Sequence, residues 1–162
     1  MNKLKKIIGL MMIIGLLLAA CSNKNEQESV DPGLTPNEMV DEMLAKVEQP
    51  MLMELTEDQL KDTYNIDPTK LEAYAIRIPM MNVKTNEIAI LKVKDEADIP
   101  EVEEALKKRA ENVQKQFETY LPDQYENAKN YKLDTKGKYV LFVISESADE
   151  LVEVYEGFFK QS

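Results

Sequence analysis

Residues 73–79, "AYAIRIP", and residues 87–93, "EIAILKV", decide the fold. In the first, Tyr74, Ile76 and Ile78 fall on one side and Arg77 on the other, the two-residue period of a strand with one buried face. The second reads as its partner, with Pro79 to Asn86 as the hairpin loop between them. A second hairpin is predicted further on. Tyr131 to Asp134 forms one strand, Thr135-Lys136-Gly137 turns the chain, and "KYVLFVI" at 138–144 returns. That last run is apolar on both faces, which predicts an interior strand.

Helical spacing fills the intervals. Thr35-Pro36-Asn37-Glu38 carries a capping box with proline in the first turn, and Met39, Val40, Met43, Leu44 and Val47 follow at helical spacing up to Pro50. A short helix starts at Thr56, with Leu55 and Leu60 as its apolar contacts. A long one follows Asp98, with Val102, Leu106, Val113, Phe117 and Tyr120 as its stripe. Pro122 breaks that helix, and residues 123–130 add a short one. Ser147 and Glu150 begin the last, whose stripe is Leu151, Val154, Tyr155, Phe158 and Phe159. The expected fold is α+β: one domain over 34–162, two β-hairpins forming an antiparallel sheet, helices packed on one face.

The N-terminal residues concern location. Lys3, Lys5 and Lys6 precede an apolar run from Ile7 to Leu18, then Ala19, Ala20 and Cys21, the only cysteine. This is the three-part pattern of a secretory signal, and the run is short of the roughly 20 residues that a bilayer-spanning helix needs. Leu18-Ala19-Ala20-Cys21 resembles a bacterial lipobox, which implies cleavage after residue 20 and a diacylglyceryl group on Cys21. Two acyl chains are enough for stable attachment, at about 0.8 kcal/mol per buried methylene. Residues 21–33 then read as a flexible acidic tether reaching roughly 20 Å. These readings place the chain on the extracytoplasmic face of the cell membrane, lipid-anchored.

Composition excludes several classes. The chain of 162 residues has no histidine, so a Ser-His-Asp triad, a Cys-His dyad and histidine metal ligation are ruled out. Net charge is −10, and −13 without the first 20 residues, which argues against nucleic acid. Lys136-Gly137-Lys138-Tyr139 lacks the upstream glycine and the Ser or Thr of a P-loop.

Several blocks, in order, resemble one family: the lipobox, the tether, "YNID" at 64–67, "NEIAILKVKD" at 86–95, "ALKKRAENVQKQFETYLPDQ" at 105–124 and "GKYVLFVIS" at 137–145. They are similar to small lipoproteins of low-GC Gram-positive bacteria grouped as domain-of-unknown-function family 4358. The resemblance implies a cell-envelope lipoprotein and no established activity, cofactor or catalytic residue.

Three residue groups bear on function. Asp95 with Asp98 and Glu101 with Glu104 pair carboxylates where acid–base work or calcium binding is conceivable, but helix capping explains them more simply. Met39, Met43, Met51, Met53, Met80 and Met81 offer thioethers to a soft metal, or packing, or a plastic surface for a partner. Tyr64, Tyr120, Tyr125 and Tyr131 line either a groove or the edge of a core. The loop after Pro79 exposes two large apolar side chains without a packing reason. The expected binding surface is therefore Tyr64, Met80 and Met81, with no catalytic residue, no metal and no cofactor. The expected role is a non-catalytic module that binds a cell-envelope protein or component. The alternatives are an envelope-modifying enzyme using carboxylates or a tyrosine, and a small-ligand or soft-metal binding lipoprotein.

Overall fold

The computed structural model describes residues 31–160. The readings of the signal segment, Cys21 and most of the tether lie outside the described residues. In chain order the elements are α1 (Pro36–Lys46), β1 (Leu52–Glu54), α2 (Glu57–Tyr64), β2 (Leu71–Pro79), β3 (Glu87–Val93), α3 (Ile99–Phe117), α4 (Pro122–Lys129), β4 (Lys132–Lys136), β5 (Tyr139–Ile144) and α5 (Ala148–Gly157).

The five strands form one antiparallel sheet in the order β1-β2-β3-β5-β4. The α+β class and both hairpins are as the alternation predicts. In the first hairpin Ile76 lies opposite Ala89, and in the second Asp134 lies opposite Leu141. The turn of the second needs a residue at positive φ, and Gly137 supplies it at φ 54°. β1 is an addition: three residues are too few to show a period in the sequence.

The layering also differs from the expectation of helices on one face. The helices divide between both faces of the sheet. Ala89, Leu91, Val93, Val140, Phe142 and Ile144 face α2, α3 and α4, packing on Leu60, Leu106, Val113 and Phe117. Ile88, Ile90, Leu141 and Val143 face α1 and α5, packing on Met39, Met43, Leu151 and Tyr155. The cause is in the two central strands. Every residue of β5 is buried, and so is every residue of β3 except Lys92. A strand that is apolar on both sides must be covered on both.

Local signals hold at the first two helix starts, whereas Asp98 and Ser147, before α3 and α5, make no side-chain capping bond. Thr35 and Glu38 form the reciprocal capping box of α1, and Thr56 with Gln59 forms that of α2. α2 ends at Asn65 in the left-handed region, φ 55°, a conformation asparagine tolerates. The α3 stripe is buried at Val102, Leu106, Ala110, Val113 and Phe117. The helix stops there, so Tyr120 falls beyond it and is exposed instead of joining the stripe.

Candidate functional site

The loop joining β2 to β3 has two halves of opposite character. Met80, Met81, Asn82, Val83 and Lys84 are exposed, and Thr85, Asn86 and Glu87 are buried. The buried half is pinned by side chains from three other segments. Gln124 Oε1 accepts from the Thr85 backbone N–H at 3.0 Å and from its hydroxyl at 3.1 Å. Asn127 Nδ2 donates to the same hydroxyl at 3.0 Å. Asn86 Nδ2 donates to Gln49 Oε1 at 3.1 Å and to Glu146 Oε2 at 2.7 Å, and Ser145 Oγ donates to Gln49 at 2.9 Å. These bonds join the α1–β1 connection, α4 and the β5–α5 connection to the root of the loop. The exposed half is thereby held up from a rigid base.

Beneath the loop, Glu87 opens β3 with its carboxylate turned toward α3 and only 1% of its surface exposed. Arg109 of α3 meets it with two nitrogens: Nη2 lies 2.7 Å from Oε2, and Nε lies 3.1 Å from Oε1 and 3.2 Å from Oε2. The Tyr64 hydroxyl donates to Glu87 Oε1, and the Arg109 guanidinium lies 5.5 Å from the Tyr64 ring centroid. Burial pushes the Tyr64 pKa well up, reinforced by the neighbouring Glu87 charge. Burial works against the Arg109 charge, but Glu87 outweighs it and holds the Arg109 pKa above its ordinary value. The trio is thus a neutral phenol between a carboxylate and a guanidinium that satisfy each other.

A cleft of about 550 Å³ opens between the loop and α3, lined by Met80, Met81, Val83, Val113 and Phe117 with Glu87 and Arg109 at its floor. Met80 is 56% exposed and Met81 64%. The volume falls within the range of ligand pockets, and the lining is mixed, with Asn82, Lys84, Thr85 and Gln116 beside the apolar residues.

Of the residues expected to form one surface, Met80 and Met81 do so. Tyr64 does not: it is buried, because its ring packs in the α2–α3 core and its hydroxyl is consumed by Glu87. Tyr125 and Tyr131 pack against the same core, and none of the four tyrosines lines the cleft. The six methionines separate as well. Met39 and Met43 are core, whereas Met51, Met53, Met80 and Met81 are exposed. The carboxylates before α3 are engaged locally: Asp95 accepts from Ala97 N–H, and Lys70 meets Asp98 at 3.2 Å and also Glu101. Among the described residues no group of three or more acidic or cysteine side chains is placed to hold a metal ion.

Sequence reading missed Glu87, Arg109, Gln124 and Asn127. One signal was available. The chain has two arginines against 18 lysines, and arginine is the residue suited to buried, forked ion pairs. Arg109 makes such a pair with Glu87, whereas Arg77, itself largely buried, reaches the exposed carboxylates of Asp41 and Glu54 with one nitrogen each.

No curated protein and no solved structure matches this chain. A family model does, from residue 45 to residue 145. The matched segment holds all five strands, α2, α3 and α4, and therefore the cleft and its buried trio; α5 and nearly all of α1 lie outside it. With well over half its length matched, the chain belongs to the family described as Domain of unknown function (DUF4358).

Proposed function

We propose that this protein is a lipoprotein on the outer face of the cell membrane, anchored through a diacylglyceryl group on Cys21, whose domain binds a protein of the cell envelope without catalysing a reaction. The observation that carries this reading is the Met80–Met81 pair. Two large apolar side chains stand more than half exposed on a loop whose root is pinned by buried hydrogen bonds. Unbranched thioethers adapt their shape to a partner, and an exposed apolar patch on a rigid base is the ordinary form of a protein-docking site. An acid–base site would aim a carboxylate or phenol with a shifted pKa into the cleft. Here the floor carboxylate is already taken by Arg109 and Tyr64.

Placement supports the same reading. The Tyr139 hydroxyl lies 3.4 Å from Asp31, the first described residue, and Tyr139 opens β5 opposite Lys92. The methionine loop is at the other end of those strands, beside Glu87 and Ile144. A tether from Cys21 therefore enters the domain at the end remote from the cleft, which leaves the cleft turned away from the anchor.

Two measurements test the proposal. Labelled fatty acid should enter the wild-type chain and not Cys21→Ser; incorporation into the variant defeats the anchor. Crosslinked co-purification from membranes should recover an envelope protein with wild type and much less of it with Met80→Ser combined with Met81→Ser, at an unchanged melting temperature. Equal recovery removes the loop from the site.

A further inference from the structure

We infer that Met51, Met53, Met80 and Met81 are oxidation sites, at which a peroxide converts the thioethers to sulfoxides and turns the apolar surface beside the cleft polar. The further step, release of a docked partner, rests on the reading of this surface as a binding site.

The choice of residues on this surface carries the inference. Among the described residues the exposed large apolar side chains are these four methionines, Val83 and Tyr120. None is leucine, isoleucine or phenylalanine, although those residues fill the core. Methionine is thus the main apolar residue that the domain shows to solvent, and it is the aliphatic side chain whose polarity oxidation reverses. Competing targets are few. The sequence has no tryptophan and no histidine, and its one cysteine is Cys21, the residue read as acylated.

The four lie together. Leu52 pairs with Pro79, which brings Met51 opposite Met80, and the Met80 N–H donates to the Met51 carbonyl at 3.4 Å. Met53 lies opposite Ile78, which packs against the core shared with α2 and α3. Residues opposite one another, or two apart on one strand, share a face of a sheet, so Met51, Met53 and Met80 stand on the α3 face. Met80 and Met81 line the cleft. A sulfoxide at any of the four therefore adds a polar group to one continuous surface.

Access separates these residues from the other methionines of the domain. Met51 is 76% exposed and Met53 40%, with Met80 and Met81 between them, whereas Met39 and Met43 are fully buried. The hydrogen bonds that pin the root of the loop involve no methionine side chain, so oxidation leaves that base standing.

The step is a two-electron oxygen transfer. The sulfur attacks one oxygen of hydrogen peroxide, and an S–O bond forms as the O–O bond breaks. The proton on the transferred oxygen passes to the departing hydroxide, which leaves as water. The sulfur is oxidised and the peroxide reduced. A dithiol-dependent reductase reverses the change: the sulfoxide oxygen leaves as water and the dithiol becomes a disulfide. A partner that covers the thioethers would have to strip water from the sulfoxide oxygens, a cost its apolar contacts do not offset.

The test uses the purified full-length protein in detergent, with dilute hydrogen peroxide and peptide mass mapping of each methionine. Met51, Met53, Met80 and Met81 should oxidise at least about tenfold faster than Met39 and Met43, which wait for the fold to open. Similar rates for the two groups overturn the inference. Freed of peroxide and offered to untreated membrane extract, the oxidised protein should crosslink at most about a fifth of the envelope protein recovered by the unoxidised chain. Its melting temperature should fall by less than about 4 °C. Reductases for both sulfoxide epimers should restore the recovery. Undiminished recovery overturns the release step, and so does a larger fall in melting temperature, which would make the loss one of folding. The combined variant Met51→Leu, Met53→Leu, Met80→Leu and Met81→Leu should recover the same amount with and without peroxide; a fall there assigns the sensitivity to other groups and overturns the step. If oxidation changes nothing while Met80→Ser/Met81→Ser still loses its envelope partner, the switch is discarded and the loop reading stands. If the untreated chain recovers no envelope protein, the loop reading fails and the mapping alone decides the oxidation sites.

Discussion

Where β3 ends and β5 begins, the polar groups lie at the surface and neutralise one another. Lys92 meets Glu72 at 2.8 Å, Lys136 lies between Asp134 and Glu156, and Lys138 donates to the Lys94 carbonyl at 2.8 Å. At the opposite end the order is inverted. The buried polar residues of the described chain are Thr85, Asn86, Glu87, Gln124, Asn127 and Ser145, and all of them gather there, with Met80 and Met81 outside. The first end is met mainly by ion pairs of partly exposed side chains that contribute little, although one Asp134 carboxylate oxygen is buried without a hydrogen bond. The second holds polar groups inside, where each unmet bond is costly, and shows apolar ones to solvent. An arrangement that places both penalties at one end of a sheet points to use, not to stability.

The contrast between the two ends of the sheet depends most on Arg109. Arg109→Leu would strand the Glu87 carboxylate in the core, and urea unfolding should show a loss of about 3–5 kcal/mol. Replacing the pair together, Glu87→Gln with Arg109→Met, should recover most of that loss. A small cost for the single variant would mean that the trio is not the buried unit described above. Gln124→Ala should cost about 1–3 kcal/mol in the same measurement, because Thr85 N–H loses its acceptor in a dry site. At the other end, Lys92→Ala should cost less than about 1 kcal/mol, the value of an ordinary surface pair. A larger loss there would erase the contrast between the ends.

The smallest effect is a pH dependence. Burial opposes the Glu146 charge, but its own backbone N–H, Asn86 and Lys84 prevail and hold its pKa below the ordinary 4.5. A depressed carboxylate stabilises the fold fully above its unfolded pKa and stops doing so as pH falls through the folded value. With its side chain 53% exposed, only about a few tenths of a kcal/mol are expected after solvent screening. Stability curves between about pH 5 and about pH 3 should converge for wild type and Glu146→Gln; parallel curves would remove this group from the network.

Periodicity carried most of the fold. Two hairpins, the capped helices and the α3 stripe are all legible because each is a repeat in the chain. β1 is not, since a three-residue strand has no period; the second helical layer is implied by the two apolar faces of residues 138–144, although the pattern does not say which helix covers which face. The site was half legible. Met80 and Met81 stand out as apolar residues in a loop. Glu87, Arg109, Gln124 and Asn127 sit in ordinary polar contexts and acquire their role only when α3 and α4 close over the start of β3. Tyr64 misled for the same reason: its partner is 23 residues away.

The strand order also dictates how the molecule can assemble. β3 and β5 are neighbours at the centre of the sheet, but residues 94–138 lie between them in the chain. The first hairpin can close locally, yet one apolar edge of β3 stays open until β5 arrives, and contacts of such separation form slowly. The protein therefore comes together late, by one hairpin docking on another. A fragment ending at residue 130 should aggregate, seen by light scattering, because it is an unfinished half of the structure and not a smaller version of it.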